Sequence, residues 1–335
     1  MRFYYHFNHK FTMHNNSISK LNNSENSLKE LFKAYISESE YSRGLRRETL
    51  KGYTEVFVTF QKIMPELVKT DDLFPQMMSE FNKRLKTRKR YVGKQLISTG
   101  VRASTIKTYH NKLMIFFKWL EDNQYIVKNS LSKRIIRPPN PVYDDEKSLS
   151  KEDVSKIISA ITLYSIRNKF MFTRDLLIIT ILLYTGIRKG ELLALKIQDV
   201  DFDNKSLFVR GKTSKSKKSR TIPLHFTLLY QLKSYFNERI KHHSTSDALI
   251  ISKVQGTALT EYGLKHWVQK YSKLSGVKFH LHRFRHTFAC NLVKANADII
   301  SIMNVMGHTT TRMTERYLRS IRSENSRSFI EDMNF

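Results

Sequence analysis

Three short stretches hold side chains whose types and spacing could do chemistry. In YTGIRKGELLALKIQDVDF, residues 184–202, Gly186 breaks an apolar run, Arg188 follows, and Glu191 lies about one helical turn later. The arginine would emerge at a helix start with the carboxylate bracing it, and alone the two read as a structural ion pair. In FHLHRFRHTFACNLVKA, residues 279–295, His280, His282 and His286 raise a metal site, since histidines four apart on a helix can share an ion. Cys290 is the one further ligand type nearby, and the interleaved Arg283 and Arg285 would repel a cation, so no metal and no cofactor are expected. On a helix His282 and Arg285 share one face, while Phe284, Phe288 and Leu292 form an opposite, core-facing stripe. An imidazole beside a guanidinium suits an anion, and a phosphate in particular. In MGHTTTRMTERYLR, residues 306–319, Gly307 ends a helical pattern, His308 follows it, and Tyr317 stands nine residues after His308 between two arginines. A surface helix carries a tyrosine by chance often enough that Tyr317 acquires meaning only from the rest of the chain.

The elements that must position these groups belong to a strongly basic protein. Its 335 residues suffice for two domains, and 40% hydrophobic content supports buried cores. Lys and Arg number 58 against 30 Asp and Glu, a net charge of +28. Residues 1–150 hold 27 basic and 15 acidic groups and residues 151–335 hold 31 and 15, so both halves are basic. Charge spread over two domains points to a shared polyanion, most directly nucleic acid; a merely basic protein of ribosomal kind is the competing reading of composition alone. The single cysteine, Cys290, excludes an intramolecular disulfide and fits a reducing, cytoplasmic setting. No segment has signal-peptide or membrane-spanning character, so no membrane partner is expected.

Residues 1–26 are aromatic and then Asn/Ser-rich, and are expected to be a flexible N-terminal segment. Apolar stripes at helical spacing follow: Leu28, Leu31, Phe32 and Tyr35; then Leu50, Tyr53, Phe57, Phe60 and Met64; then Ile106, Tyr109, Leu113, Phe116, Phe117 and Leu120. They predict a small all-helical domain over 27–136. Within it NKRLKTRKR, residues 82–90, brings together Lys83, Arg84, Lys86, Arg88, Lys89 and Arg90, a candidate phosphate-contacting surface. RPPNPVYDDEK holds three of the six prolines, which marks residues 137–149 as a linker. Ser150 with Asp153 three residues on opens the next helix. LLIITILLYTGI, residues 176–187, reads as a buried helix by its length and lack of breakers, and SLFVRG and SRTIPL as two strands joined by the turn KTSKSKK. The second domain, 150–320, is therefore mostly helical α+β with a small antiparallel sheet.

Taken in order, TGIRKGELLAL, HRFRHTFA and MGHTTTRMTERYL, with a lysine 24 residues after Arg188, resemble the motifs of the tyrosine recombinases, or phage integrase family. The resemblance covers roughly residues 27–320. It implies a helical, SAM-like core-DNA-binding domain followed by a catalytic domain that cleaves and rejoins DNA strands through a 3'-phosphotyrosyl link. By resemblance Tyr317 is the nucleophile, Arg188, Arg285 and His308 stabilise the attacked phosphate, His282 assists proton transfer and Glu191 braces the site. Lys212 would protonate the leaving 5' oxygen, with Lys215 and Lys217 of the same turn as alternatives or as DNA contacts. The chemistry is coherent, because a phenol with a pKa of about 10 needs cations nearby to act as a nucleophile at neutral pH. The resemblance also implies duplex DNA as partner, a tetramer on paired sites, and a tail, 321–335, docked on a neighbouring protomer. The short N-terminal segment speaks against a separate arm-site-binding domain. Competing readings are a noncatalytic DNA-binding protein of the same fold and a type IB topoisomerase.

Overall fold

The computed structural model describes residues 27–92, 95–139, 148–211, 218–253, 256–311 and 314–315. The chain divides into two units, 1–142 and 143–335, and the division falls within the proline-bearing stretch.

In the first unit Ser27 opens helix α1 (Leu28–Tyr41) with a capping box: its hydroxyl accepts from the Glu30 N–H at 3.3 Å, and its own N–H donates to the Glu30 carboxylate at 3.0 Å. Helices α2 (Arg47–Ile63) and α3 (Met77–Thr87) follow. To the helices expected over 27–136 the structure adds a two-stranded antiparallel hairpin, β1 (Lys89–Val92) and β2 (Gln95–Thr99), before the long helix α4 (Ala103–Asp122). A four-residue basic strand carries no period-2 apolar pattern, so hydrophobic periodicity could not announce it. The predicted stripes meet in one core. Phe32 stacks on Phe57 with centroids 3.9 Å apart, and Phe116 of α4 packs edge-on against both rings.

The second unit begins at α5 (Lys151–Ser165), where the Ser150 hydroxyl accepts from the Asp153 N–H at 3.0 Å. Helix α6 (Lys169–Thr185) takes up the apolar run as far as Thr185 and is deeply buried, with Leu177, Ile178, Ile179, Ile181 and Leu182 all inside the core. Its neighbours explain why its sequence lacks a polar face: α5, α8 (Phe226–Ile240) and α10 (Leu281–Lys294) pack around it. Between lie the short α7 (Lys189–Leu193) and an antiparallel sheet of β3 (Val200–Asp201), β4 (Ser206–Val209) and β5 (Arg220–Pro223) in that spatial order. The predicted hairpin is β4–β5, with Leu207 opposite Ile222. Helices α9 (Glu261–Ser275) and α11 (Ile299–Met306) follow. A buried polar cluster ties α5, α6 and α9: Asp175 accepts from Arg174 and from the Tyr271 hydroxyl, which also meets Ser165.

Candidate active site

Two helices end where the candidate residues gather. Gly186 and Gly307 adopt left-handed φ values of 57° and 62°, turning the chain out of α6 and α11. The last carbonyls of a helix lack intrahelical partners and carry the negative end of its dipole. Here they hold guanidiniums. Arg285 donates from Nη1 to the Gly186 carbonyl at 2.6 Å and from Nη2 to that of Met306. Arg188, the residue that opens α7, donates from Nη2 to the Gly307 carbonyl at 3.0 Å. Neither glycine tolerates a side chain in place: a Cβ on Gly186 would lie 2.4 Å from the Phe288 ring, and one on Gly307 would lie 2.8 Å from Arg220 Nη1.

Glu191 is the centre of the ionic network. Its side chain is wholly buried, and it accepts from the Arg188 N–H at 2.9 Å and from Arg188 Nη1 at 3.0 Å. Arg220 approaches from β5 and donates to the two carboxylate oxygens at 3.2 and 2.8 Å, while its Nε donates to the Val305 carbonyl at 2.8 Å. Burial pushes the Glu191 carboxyl up, but the hydrogen bonds from Arg220 and from the Arg188 N–H prevail and hold it down at about 2. Arg188 and Glu191 thus form the ion pair expected from their spacing and also belong to a larger cluster.

Arg285 is itself buried, only 2% exposed, whereas His282 one turn earlier is exposed. The two differ in depth: α10 is covered by α6 and by α11, and the Arg285 guanidinium sits beneath the surface. His282, Arg285 and Arg188 nonetheless line one open groove of about 690 Å³, together with Lys189, Lys265 and His280. The histidine triplet disperses: His286 is buried with Nδ1 3.1 Å from Cys290 Sγ, while His280 and His282 are exposed. Among the described residues no group of three or more His, Cys, Asp or Glu side chains is placed to hold a metal.

His308 follows Gly307 and is buried, with Nδ1 2.9 Å from the hydroxyl of Thr314. Burial first, then the charges of Arg285, Arg188 and Arg220, push its pKa down to about 3. It is a neutral imidazole at physiological pH, offering a hydrogen bond and no charge. Thr314 is fully buried three residues before Tyr317, and its contact orients the ring.

Sequence reasoning missed Arg220 and Thr314. The former left a signal: in SRTIPL the inward Ile222 and Leu224 place Arg220 on the same buried side of the strand, and an inward cation demands a partner. The basic run 82–90 splits in the structure. Arg84 is held by Glu80 at 3.0 Å, by Glu66 at 2.8 Å and by the Ile63 carbonyl, so it braces α3 internally. Lys83, Lys86, Arg88 and Lys89 are exposed along the end of α3 and the start of β1, where Arg90 also lies. Lys212, Lys215, Lys217, Tyr317 and the tail 321–335 lie outside the described residues.

The phage integrase family profile matches residues 147–324. Tyrosine recombinase XerA of Pyrococcus furiosus is 28% identical over 289 residues, covering 82% of this chain and 92% of that protein. A tyrosine recombinase of Agathobacter rectalis is 33% identical over 214 residues, covering 60% of this chain and 67% of that protein. The XerH site-specific recombinase solved with its difH DNA in a post-cleavage complex superposes with a TM-score of 0.66 at 20% identity, over 90% of this chain and 84% of that one. That likeness concerns the fold, in which a helical unit precedes a mostly helical one with a small antiparallel sheet. The ordered motifs, the helix ends that gather their arginines, and a profile match over slightly more than half of its length place this chain in the phage integrase family, the tyrosine recombinases.

Proposed function

We propose that the protein is a site-specific DNA recombinase that cleaves and rejoins strands through Tyr317, in integration, excision, inversion or resolution. The observation that carries this reading is the convergence of Arg188, Arg285 and His308 on the ends of α6 and α11, beside a groove open to solvent. In the reaction the Tyr317 phenol passes its proton to His282 and its oxygen attacks phosphorus. The bond to the 5' oxygen breaks, leaving a 3'-phosphotyrosyl link, and the departing oxygen takes a proton from Lys212. A 5' hydroxyl from a partner strand reverses these steps, so the bond energy is conserved without ATP. Charge that develops on the equatorial phosphate oxygens is met by two guanidiniums already held in place, which avoids reorganisation during the reaction. Neutral His308 adds a hydrogen bond, and exposed His282 is suited to proton transfer at the groove wall.

The domain reading assigns 27–136 to core-DNA binding, 137–149 to a linker and 150–320 to catalysis. Exposed Lys83, Lys86, Arg88 and Lys89 would meet DNA phosphates. Pairing of two sites would require a tetramer, with the tail 321–335 exchanged between protomers. The basic charge of both halves and the lack, among the described residues, of a helix long and apolar enough to cross a membrane support a DNA-facing role in the cytoplasm. The test uses a duplex selected by the protein from a randomised DNA library and nicked beside the cleavage position. Wild type should accumulate a covalent protein–DNA band in excess EDTA, and Tyr317→Phe should bind equally but form none. A covalent band from the Phe variant would refute the assignment.

A further inference from the structure

Arg220 does not line the groove, and its side chain is only 8% exposed, so it cannot be counted among the groups that touch the phosphate. Its placement is nevertheless specific. It is the first residue of β5, one position after Ser219, whose hydroxyl accepts from the Gly211 N–H at 2.9 Å and closes the neck of the lysine-bearing turn. From there its guanidinium spans both oxygens of Glu191 and reaches the Val305 carbonyl at the end of α11. The ring of contacts joins three motifs far apart in sequence: the α7 arginine box, the base of the hairpin, and the helix that delivers Gly307 and His308.

Glu191 has two oxygens and two guanidinium claimants. Oε1 accepts from Arg188 Nη1 and from Arg220 Nη1, while Oε2 accepts from the Arg188 N–H and from Arg220 Nη2. With Arg220 gone, a buried carboxylate would be left with vacant acceptor sites and one remaining cation. It would then draw the Arg188 guanidinium inward, away from the Gly307 carbonyl and from the groove.

We propose that Arg220 is a positioning residue for strand cleavage, which saturates Glu191 so that Arg188 stays aimed into the groove and which ties the hairpin base to the end of α11. This rests on the strand-cleavage reading above. A lysine at this position would keep the charge but could not span both oxygens and the carbonyl together.

The test measures single-turnover formation of the covalent adduct on the nicked, library-selected duplex, alongside gel-shift affinity for the same DNA. Arg220→Lys and Arg220→Met should slow adduct formation by about tenfold to a hundredfold, Met more than Lys, while the Kd changes less than about threefold. In a Glu191→Gln background, already slow, Arg220→Lys should add almost nothing, because the residue through which it acts has been neutralised. If Arg220→Met does not fold, Arg220→Lys alone decides. Wild-type rates in Arg220→Lys, or multiplicative slowing on top of Glu191→Gln, would overturn the proposal. Failure of wild type itself to form an adduct would instead remove the strand-cleavage reading, and the proposal with it.

Discussion

Substituting Gly307 by alanine should destabilise the second unit by more than its backbone conformation accounts for. Two glycines offer a controlled comparison. Gly276 closes α9 with φ 69° and has no atom within 4 Å of where a Cβ would stand, whereas Gly307 closes α11 with φ 62° and its Cβ would fall 2.8 Å from Nη1 and 3.0 Å from Cζ of Arg220. A left-handed conformation costs an L-residue roughly 1–2 kcal/mol, and Gly276→Ala should lose about that much. At Gly307 the guanidinium must also move, yet three hydrogen bonds hold it to Glu191 and to Val305. Breaking one side of a buried ion pair costs about 3–5 kcal/mol, and Arg188 remains to hold Glu191, so a loss of about 3–4 kcal/mol is expected overall. The chain has two tryptophans, Trp119 and Trp267, one in each unit. A Trp119→Phe background therefore leaves Trp267 as the fluorescent reporter of the second unit in urea unfolding. Placing Gly307→Ala on Arg220→Ala should bring its cost back to about that of Gly276→Ala. Equal costs for the two glycine substitutions in the presence of Arg220 would refute the account.

Three further outcomes follow from the same geometry. Because the His308 pKa is depressed to about 3 in the folded protein, the unfolded chain takes up a proton that the native state refuses as pH falls below about 6.5. The contribution is complete above that pH and is lost progressively toward pH 3, so between pH 7 and 5.5 wild type should lose about 1 kcal/mol more than His308→Gln in urea unfolding; equal losses would show that His308 titrates normally. Lys212→Ala should cleave ordinary DNA slowly but recover on a substrate with a bridging 5' sulfur, which leaves without a proton, and rescue of Lys215→Ala or Lys217→Ala instead would move the acid role to that lysine. Truncation after Arg322 removes Phe329, Ile330, Met333 and Phe335 and should leave single-site binding intact while abolishing strand exchange; undiminished pairing of sites in analytical ultracentrifugation would exclude a tail acting between protomers.

Much of the fold was legible because it is written in local periodicity. Ser27 and Ser150 announce their helices through side chains that reach only three residues ahead, and Gly186 and Gly307 announce helix ends through a conformation that glycine adopts without penalty. The ordered motifs likewise place Arg188, His282, Arg285 and His308 in one family pattern. The hairpin at 89–99 escaped because its strands, KRYV and QLIST, are short and leave no apolar alternation.

The sequence by itself thus determined which elements form, where they stop, and which side chains carry charge near them. Only the tertiary structure decided what those charges do. Burial and opposing partners depend on elements distant in the chain: Arg220 meets Glu191 across 29 residues, and Arg285 reaches the Gly186 carbonyl across 99. Arg84 and Arg88 look alike in the basic run, yet Glu66 and Glu80 hold the first while the second is exposed. His308 is held neutral by burial first and then by the charges of three guanidiniums, two of them more than 80 residues away in sequence. Electrostatic energy depends on distance in space and on the loss of water, and neither quantity is encoded locally along a chain.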